Sequence, residues 1–466
     1  MTGPAFKTAP ADPSSVAHLA EHGLRYALVD TDDPAAFAAW LRADDRGFHQ
    51  ATRDEKQYEV SRDGIGYRRT IGVYDDALRI DAEVPVATVN SWPGELTVPG
   101  STIDHPRTIS SWAISSVTVA STHRRRGIAR NLLEGELRTA HALGLPMAML
   151  TVSESTIYGR FGFAPAAFAT DWTIDTRRAK WIGPAASGSG GAGPDGSVEF
   201  VSIERFRAEL PALHDRVRLA NPGDIDVWTH RWDQLVGATE PEAARTKQLR
   251  AVRYLDVEGA TRGLALYRVT GGEPDFSQHL VEVDRLVSET PDAASALWRY
   301  LLELDLVTEV KAHLRPSDEV LRWQIADYRS AKVESWEHQY LRVLDVAAAF
   351  AARSYAVPGK LVLDVTDSLG FAEGRWLVSA TAPAGAADPA HAAVPASATV
   401  TRIDAVAEAV PTLRLSANEL AAIYLGGVPV TTLVDAGRVV EATPGAAEAA
   451  DRMLRTARAP WLSVWY

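Results

Sequence analysis

Three consecutive arginines ahead of a glycine, in the run His123-Arg124-Arg125-Arg126-Gly127-Ile128-Ala129-Arg130, combine side chains and backbone suited to holding an anion. Upstream, residues 112–119 (WAISSVTV) are rich in β-branched and aromatic side chains and read as a strand, with Val117 and Val119 on one side. Downstream, Leu132, Leu133, Leu137 and Ala140 recur at helical spacing, Glu134 and Arg138 form an i,i+4 pair, and Gly144 with Pro146 supplies a stop. The basic run therefore lies where a strand hands over to a helix. The first amides of a helix have no internal partner and sit at the positive end of its dipole. Gly127 lets an anion approach the backbone with no Cβ in the way, and the arginines add charge. Such a site suits a pyrophosphate. For the arginines taken alone, a solvated turn or a basic patch for nucleic acid are the plain alternatives.

Further chemistry follows in the chain. Residues 147–152 read as a new strand, and Ser153-Glu154-Ser155-Thr156-Ile157-Tyr158-Gly159-Arg160-Phe161-Gly162-Phe163 comes next. The phenol of Tyr158, with an ordinary pKa of about 10, stays protonated at neutral pH and is available as an acid; its bland reading is a core tyrosine. Between residues 43 and 58, Asp44, Asp45, Asp54 and Glu55 mix with Phe48 and Tyr58. Carboxylates pair with ammonium groups and rings cover sugar or aliphatic faces, so this mixture suits a cationic, hydroxylated ligand; a solvated helix face is the alternative. The chain ends Pro460-Trp461-Leu462-Ser463-Val464-Trp465-Tyr466, whereas chain ends usually fray and are polar. So apolar an end points to packing inside the protein or an interface, or to an edge strand finishing the last domain.

The elements that must position these groups are legible in outline. Residues 35–42 have helical spacing with Phe37, Trp40 and Leu41 as the buried face, and 71–74 and 84–89 read as early strands. A Gly/Ser/Ala-rich linker spans 183–197. Beyond it, strands at 263–269, 279–287 and 309–313 alternate with a helix at 293–304, which suggests a second α/β unit. From about residue 341 come strands at 361–365 and 376–379, a low-complexity surface loop at 381–398, a capping box from Ser416 to Glu419, and a helix at 444–458. The chain of 466 residues is too long for one ordinary core, so two or three domains are expected, in a mixed α/β (α+β) fold. Apolar residues at 46% and charged residues at 23% are those of a globular protein, and no run is long and apolar enough to span a membrane. The start, MTGPAFKTAPADPSS, lacks the features of a secretory signal and reads as a disordered lead-in. Zero cysteines exclude disulfides, thiolate metal sites and a cysteine nucleophile. A net charge of −12 disfavours nucleic acid and favours cationic small molecules or basic peptides.

Arg124-x-x-Gly127-x-Ala129 resembles the pyrophosphate loop of the GNAT acetyltransferase superfamily, and a tyrosine four residues before Gly162-Phe163 resembles its acid site. The fuller pattern, Thr122-His123-Arg124-Arg125-Arg126-Gly127 with Ser153-Glu154-x-x-Ile157-Tyr158-Gly159-Arg160-Phe161-Gly162-Phe163, looks like the enhanced-intracellular-survival (Eis-type) branch. Residues 96–100, 265–269, 297–299 and 423–427 and the aromatic terminus extend the similarity over about 22–466. The resemblance implies a GNAT domain with an acetyl-CoA site (22–185), a GNAT-like domain without cofactor (198–340), and a sterol-carrier-protein-like domain (341–466) whose C-terminus reaches the active site. It implies that Val117 and Val119 pair with the pantetheine arm and that Arg124, Arg125, Gly127, Ile128 and Ala129 hold the pyrophosphate. It further implies that Ser153 touches the cofactor, that Tyr158 is the general acid, and that the terminal carboxylate of Tyr466 is the general base. The activity implied is N-acetyl transfer from acetyl-CoA, without a metal, to amines of cationic, aminoglycoside-like small molecules. A cytoplasmic homohexamer is implied, with neither nucleic acid nor membrane as partner. A peptide or lysine acetyltransferase and a non-catalytic acyl-CoA or lipid-binding protein are the competing readings.

Overall fold

The computed structural model describes residues 5–184, 196–382, 396–405 and 410–466. One mixed sheet of twelve strands carries most of the molecule. In chain order they are β1 (Arg25–Leu28), β2 (Arg69–Tyr74), β3 (Ala87–Thr97), β4 (Thr108–Val119), β5 (Met147–Thr151), β6 (Ala164–Asp175), β7 (Ser197–Val201), β8 (Arg250–Leu255), β9 (Thr261–Gly271), β10 (His279–Ser288), β11 (Val307–Arg315) and β12 (Ala331–Val343). Their spatial order is β1-β2-β3-β4-β5-β12-β6-β11-β10-β9-β8-β7. β12 returns from the second unit to lie between β5 and β6, opposing Gln339 to Thr151 and Val343 to Met147. The sheet is therefore continuous across both α/β units, and position 340/341 falls inside β12.

The helices that matter for the site are α1 (Pro13–Glu21), α2 (Pro34–Gly47), α3 (Glu55–Ile65), α4 (Ile128–Ala142) and the single turn α5 (Ser155–Tyr158). α2 starts where Asp33 accepts from the amides of Ala35 and Ala36 and Pro34 occupies the first turn. α4 buries the expected stripe, Ile128, Leu132, Leu133, Leu137 and Ala140, against Trp112, Ile114 and Leu150 of the sheet. Glu136 of α4 is buried there too, taking bonds from Arg69, Ser91 and Trp112 of three neighbouring strands. A buried carboxylate is tolerable only when satisfied in this way.

A second sheet has the order β15-β14-β13-β16-β17, from β13 (Gly359–Thr366), β14 (Gly374–Thr381), β15 (Ser397–Arg402), β16 (Thr412–Ser416) and β17 (Val440–Glu441). Its core is shared with the large sheet: Leu361, Leu363, Leu420 and Tyr424 pack in one cluster with Trp92, Leu96, Met149 and Ala166. The expected capping box is present, Ser416 bonding Asn418 N and Glu419 reaching back to Ser416 N.

Three expectations need correction. The lead-in is ordered from residue 5: Phe6 meets Trp112 edge-on at 6.1 Å, the carbonyls of Ala9 and Pro10 accept from Arg69, and Asp12 caps α1. The buried Arg69 guanidinium supplies the reason, since it needs acceptors the sheet cannot provide. The acidic stretch is a solvated face only in part: Asp44 and Asp45 are buried in α2, whereas Phe48, Asp54 and Glu55 are exposed. The chain end forms no edge strand, and residues 455–466 run without regular secondary structure outside both sheets. Most of the linker at 183–197 and the loop at 381–398 lies outside the described residues.

Candidate active site

β4 and β5 run parallel and pair only from Ser111–Met147 to Ala113–Met149. Beyond Ala113 the two strands part, because β4 bends. Ser115 opposes Asn90 and Thr118 opposes Thr88, so Ser116 and Val117 together face Val89 alone. This bulge puts Ser116 at φ 55, a left-handed conformation. Val117 and Val119 follow on the splayed, half-buried length of β4, whose outer edge no strand covers among the described residues. That edge presents free N–H and C=O groups to whatever enters the cleft.

The basic run closes one end of it. Arg125 and Gly127 are both left-handed, at φ 63 and φ 75. Gly127 is the N-cap of α4, no side chain caps the helix, and Asn131 N is the first amide to bond back, to Gly127 O at 3.1 Å. The amides of Ile128 and Ala129 ahead of it have no helical partner. Arg126 is committed to the fold: it bonds His22 O at 3.0 Å and lies 3.4 Å from Asp75, which His123 also holds at 3.1 Å. Arg124 and Arg125 are exposed and make no ion pair or side-chain hydrogen bond among the described residues. Free amides, a left-handed glycine and two unengaged guanidinium groups fit the diphosphate of a coenzyme A.

Ser153 is exposed just past the end of β5, and α5 follows. Tyr158 is buried, edge-on to Phe163 at 6.3 Å, and its hydroxyl has no hydrogen-bond partner among the described residues. Burial, with Glu154 nearby, pushes the phenol up to about 12. The turn that carries it is pinned from the third domain and from β12. Asn418 Nδ2 donates to Gly159 O (2.8 Å) and Phe163 O (2.7 Å), and Arg342 donates to Phe161 O (2.8 Å) while paired with Asp367 at 2.7 Å.

The chain end comes to the same strand end. Trp461 bonds Pro222 O and Leu314 O, Ser463 bonds Asp224, and His338 Nε2 lies 2.9 Å from Val464 O. The last link is Thr151 Oγ1 donating to Tyr466 O at 2.6 Å. Thr151 closes β5, so the terminal carboxylate and the Tyr158 turn share one strand end. The Tyr466 ring meets Trp92 at 5.5 Å, and burial raises its phenol above the ordinary range. On the facing wall Asp44 is pushed up to about 6 by burial, against the pull of Arg53 and the Ser116 hydroxyl. Thr151, Asn418, Arg342 and Ser116 had no local signal, since each acquires its role from a residue distant in the chain, whereas Asp44 belongs to the acidic-aromatic stretch already singled out.

Acetyltransferase (GNAT) domain models match residues 31–166 and 224–343, and a sterol carrier protein domain model matches 346–463. An uncharacterized N-acetyltransferase of Streptomyces avermitilis is 33% identical over 92% of this chain and 96% of its own. The N-acetyltransferase Eis of Mycobacterium tuberculosis is 32% identical over 74% of this chain and 76% of its own. The crystal structure of Eis1 from Mycobacterium abscessus superposes with a TM-score of 0.73 at 25% identity, covering 95% of this chain and 99% of that one. The chain belongs to the Eis-type family of GNAT N-acetyltransferases. Its class of activity is acetyl transfer.

The two GNAT units of this Eis-type chain differ where a nucleotide would sit. In the second, β10 and β11 are also parallel, and the helix Pro291–Leu302 between them corresponds to α4 in position. That helix is capped by the Thr290 side chain and carries Asp292 in its first turn, next to Glu289. A capped, acidic helix start repels a diphosphate. Past Val283 the gap between β10 and β11 holds Arg315, bonded to Leu286 O at 2.9 Å, and the chain's own tail, with Arg285 on Ser463. Only a cavity of about 160 Å³ remains there.

Proposed function

We propose that this protein transfers acetyl from acetyl-CoA to a primary amine of a cationic, hydroxylated small molecule, aminoglycoside-like in character. The observation that carries the reading is the terminal carboxylate oxygen held 2.6 Å from Thr151 Oγ1, at the strand end from which Tyr158 follows. A base and an acid thus flank the mouth of the β4–β5 cleft. Acetyl-CoA supplies the activated thioester. The splayed edge of β4 at Val117 and Val119 would carry its pantetheine arm, and Arg124, Arg125 and the amides of Gly127, Ile128 and Ala129 its diphosphate. Ser153 stands where the two strands part. The carboxylate of Tyr466 takes a proton from the acceptor ammonium, which frees the nitrogen lone pair for attack. Tyr158 keeps its proton at neutral pH and delivers it to the departing sulfur. Asp44, ionised above about pH 6, favours a positive acceptor on the facing wall. A cytoplasmic homohexamer belongs to the same reading.

Adding one alanine after Tyr466 tests the base. The carboxylate then moves a residue beyond Thr151, and kcat for amine-dependent thiol release should fall by at least a hundredfold with the melting curve retained. Full turnover in the extended chain would refute the assignment. A lysine-bearing peptide that outcompetes every small amine would instead favour the peptide acetyltransferase reading.

A further inference from the structure

Resting on that reading, we infer that Arg68 forms a subsite for an anionic group, a carboxylate, on the amine acceptor. Arg68 lies on the α2 side of the sheet, one residue before β2, and is 4% exposed. Its guanidinium sits 3.5 Å from the ring centre of Trp92 and 4.7 Å from that of Trp228. Rings hold a cation in place without neutralising it. Its hydrogen bond to Asn90 is long, 3.4 Å from Nη1 to Oδ1, and Nε and Nη2 have no hydrogen-bond partner among the described residues. It makes no salt bridge with a carboxylate among the described residues; burial lowers its pKa, against a charge interaction and a hydrogen bond with the neighbouring Tyr67 phenol and the lesser pull of Asp44 and Tyr466.

Three other arginines of comparable burial have all three guanidinium nitrogens engaged, whereas the buried Arg218 leaves only Nη1 without a partner. Arg69 meets Glu136 and two carbonyls, Arg342 meets Asp367 and two carbonyls, and Arg353 meets three carbonyls. A guanidinium left with two free donors in such a place costs stability unless something arrives to use them. The unpartnered donor Nε1 of Trp228 and the unpartnered hydroxyl of Tyr466 lie beside it. Tyr466 touches the same Trp92 ring that Arg68 covers, so the subsite is a short alkyl spacer away from the proposed base. The planar fork of an arginine matches a carboxylate in two parallel bonds. The acceptor then carries its reactive amine toward the chain end and its carboxylate toward Arg68. No bond is made or broken at this subsite.

The test uses the full-length protein, saturating acetyl-CoA and thiol release from matched single-amine probes: 4-aminobutanoate, 6-aminohexanoate, their carboxamides and hexylamine. The wild type should favour at least one carboxylate over its carboxamide by tenfold or more in kcat/KM, chiefly through KM. Arg68→Gln should collapse that ratio to near one, and Arg68→Lys should restore part of it. Because the readout is a ratio within each variant, a general loss of fold cancels. A wild type with no carboxylate preference, or an Arg68→Gln ratio equal to that of wild type, overturns the subsite while leaving acetyl transfer standing. Absence of thiol release with every probe and with a cationic, hydroxylated polyamine assayed beside them would defeat the proposed function, and the subsite with it.

Discussion

In the proposed reaction Tyr158 and the Tyr466 carboxylate divide the proton work between an acid and a base. The first is testable through its pH behaviour. Burial raises the Tyr158 phenol to about 12, so a proton for the leaving sulfur is present across the neutral and mildly alkaline range and is lost only as pH climbs toward that value. The kcat profile should therefore show no falling limb from this group below about pH 10. Tyr158→Phe removes the donor while keeping the ring against Phe163, and kcat should drop by about a hundredfold or more with acetyl-CoA affinity retained. Steady-state kinetics over pH 6–10 for both proteins would check the two points together. Tyr158 was legible in the chain because its motif is eleven contiguous residues. Arg68 was not, because its meaning depends on Trp92, Trp228 and Tyr466, which only folding brings together.

The strand-to-helix junction at Gly127 is the element on which the proposed nucleotide end of the site depends. A Cβ there would meet nothing closer than His18 Nε2 at 3.6 Å, so space is available. The backbone is the constraint: at φ 75 an L side chain costs about 1–2 kcal/mol, which a loop can escape by re-turning. Gly127→Ala should thus lower stability by about that amount and raise KM for acetyl-CoA several-fold, with kcat little affected; calorimetric melting and cofactor titration would read each part. The β4 bulge at Ser116 is the counterpart that no composition rule announced. Residues 112–119 are uniformly strand-like, and the extra residue appears only once β4 is laid against β3.

Across the whole molecule, the tail that brings Tyr466 to the cleft crosses all three domains and is held by buried polar groups. His338 is one of them. Burial lowers its imidazole to about 4 from an ordinary 6.5, although the Val464 carbonyl partly offsets this. The folded state therefore stays unprotonated while the unfolded chain begins to bind a proton near pH 6.5. Stability is full above that pH and falls as pH drops through the window down to about 4, by roughly 3 kcal/mol in total. In His338→Gln this share of the slope should vanish, as thermal melts between pH 4 and 8 would show. The same segment also enters the cleft of the second GNAT unit, where Arg285 donates to the Ser463 hydroxyl.

By themselves the residues determined what is encoded locally: the strand–loop–helix at Gly127, the Tyr158 segment, the capping box at Ser416, the periodic faces that make each domain, and the family. Side-chain period and backbone preference act over a few positions, so contiguous sequence is enough to read them. What lay beyond such reading is set by contacts between distant segments: β12 inserted between β5 and β6, the ordered start around Phe6, Asn418 under the Tyr158 turn, and Thr151 holding a carboxylate 315 positions away. Those pairings arise because buried polar groups must find partners wherever the packed chain offers them, and only tertiary structure decides where that is.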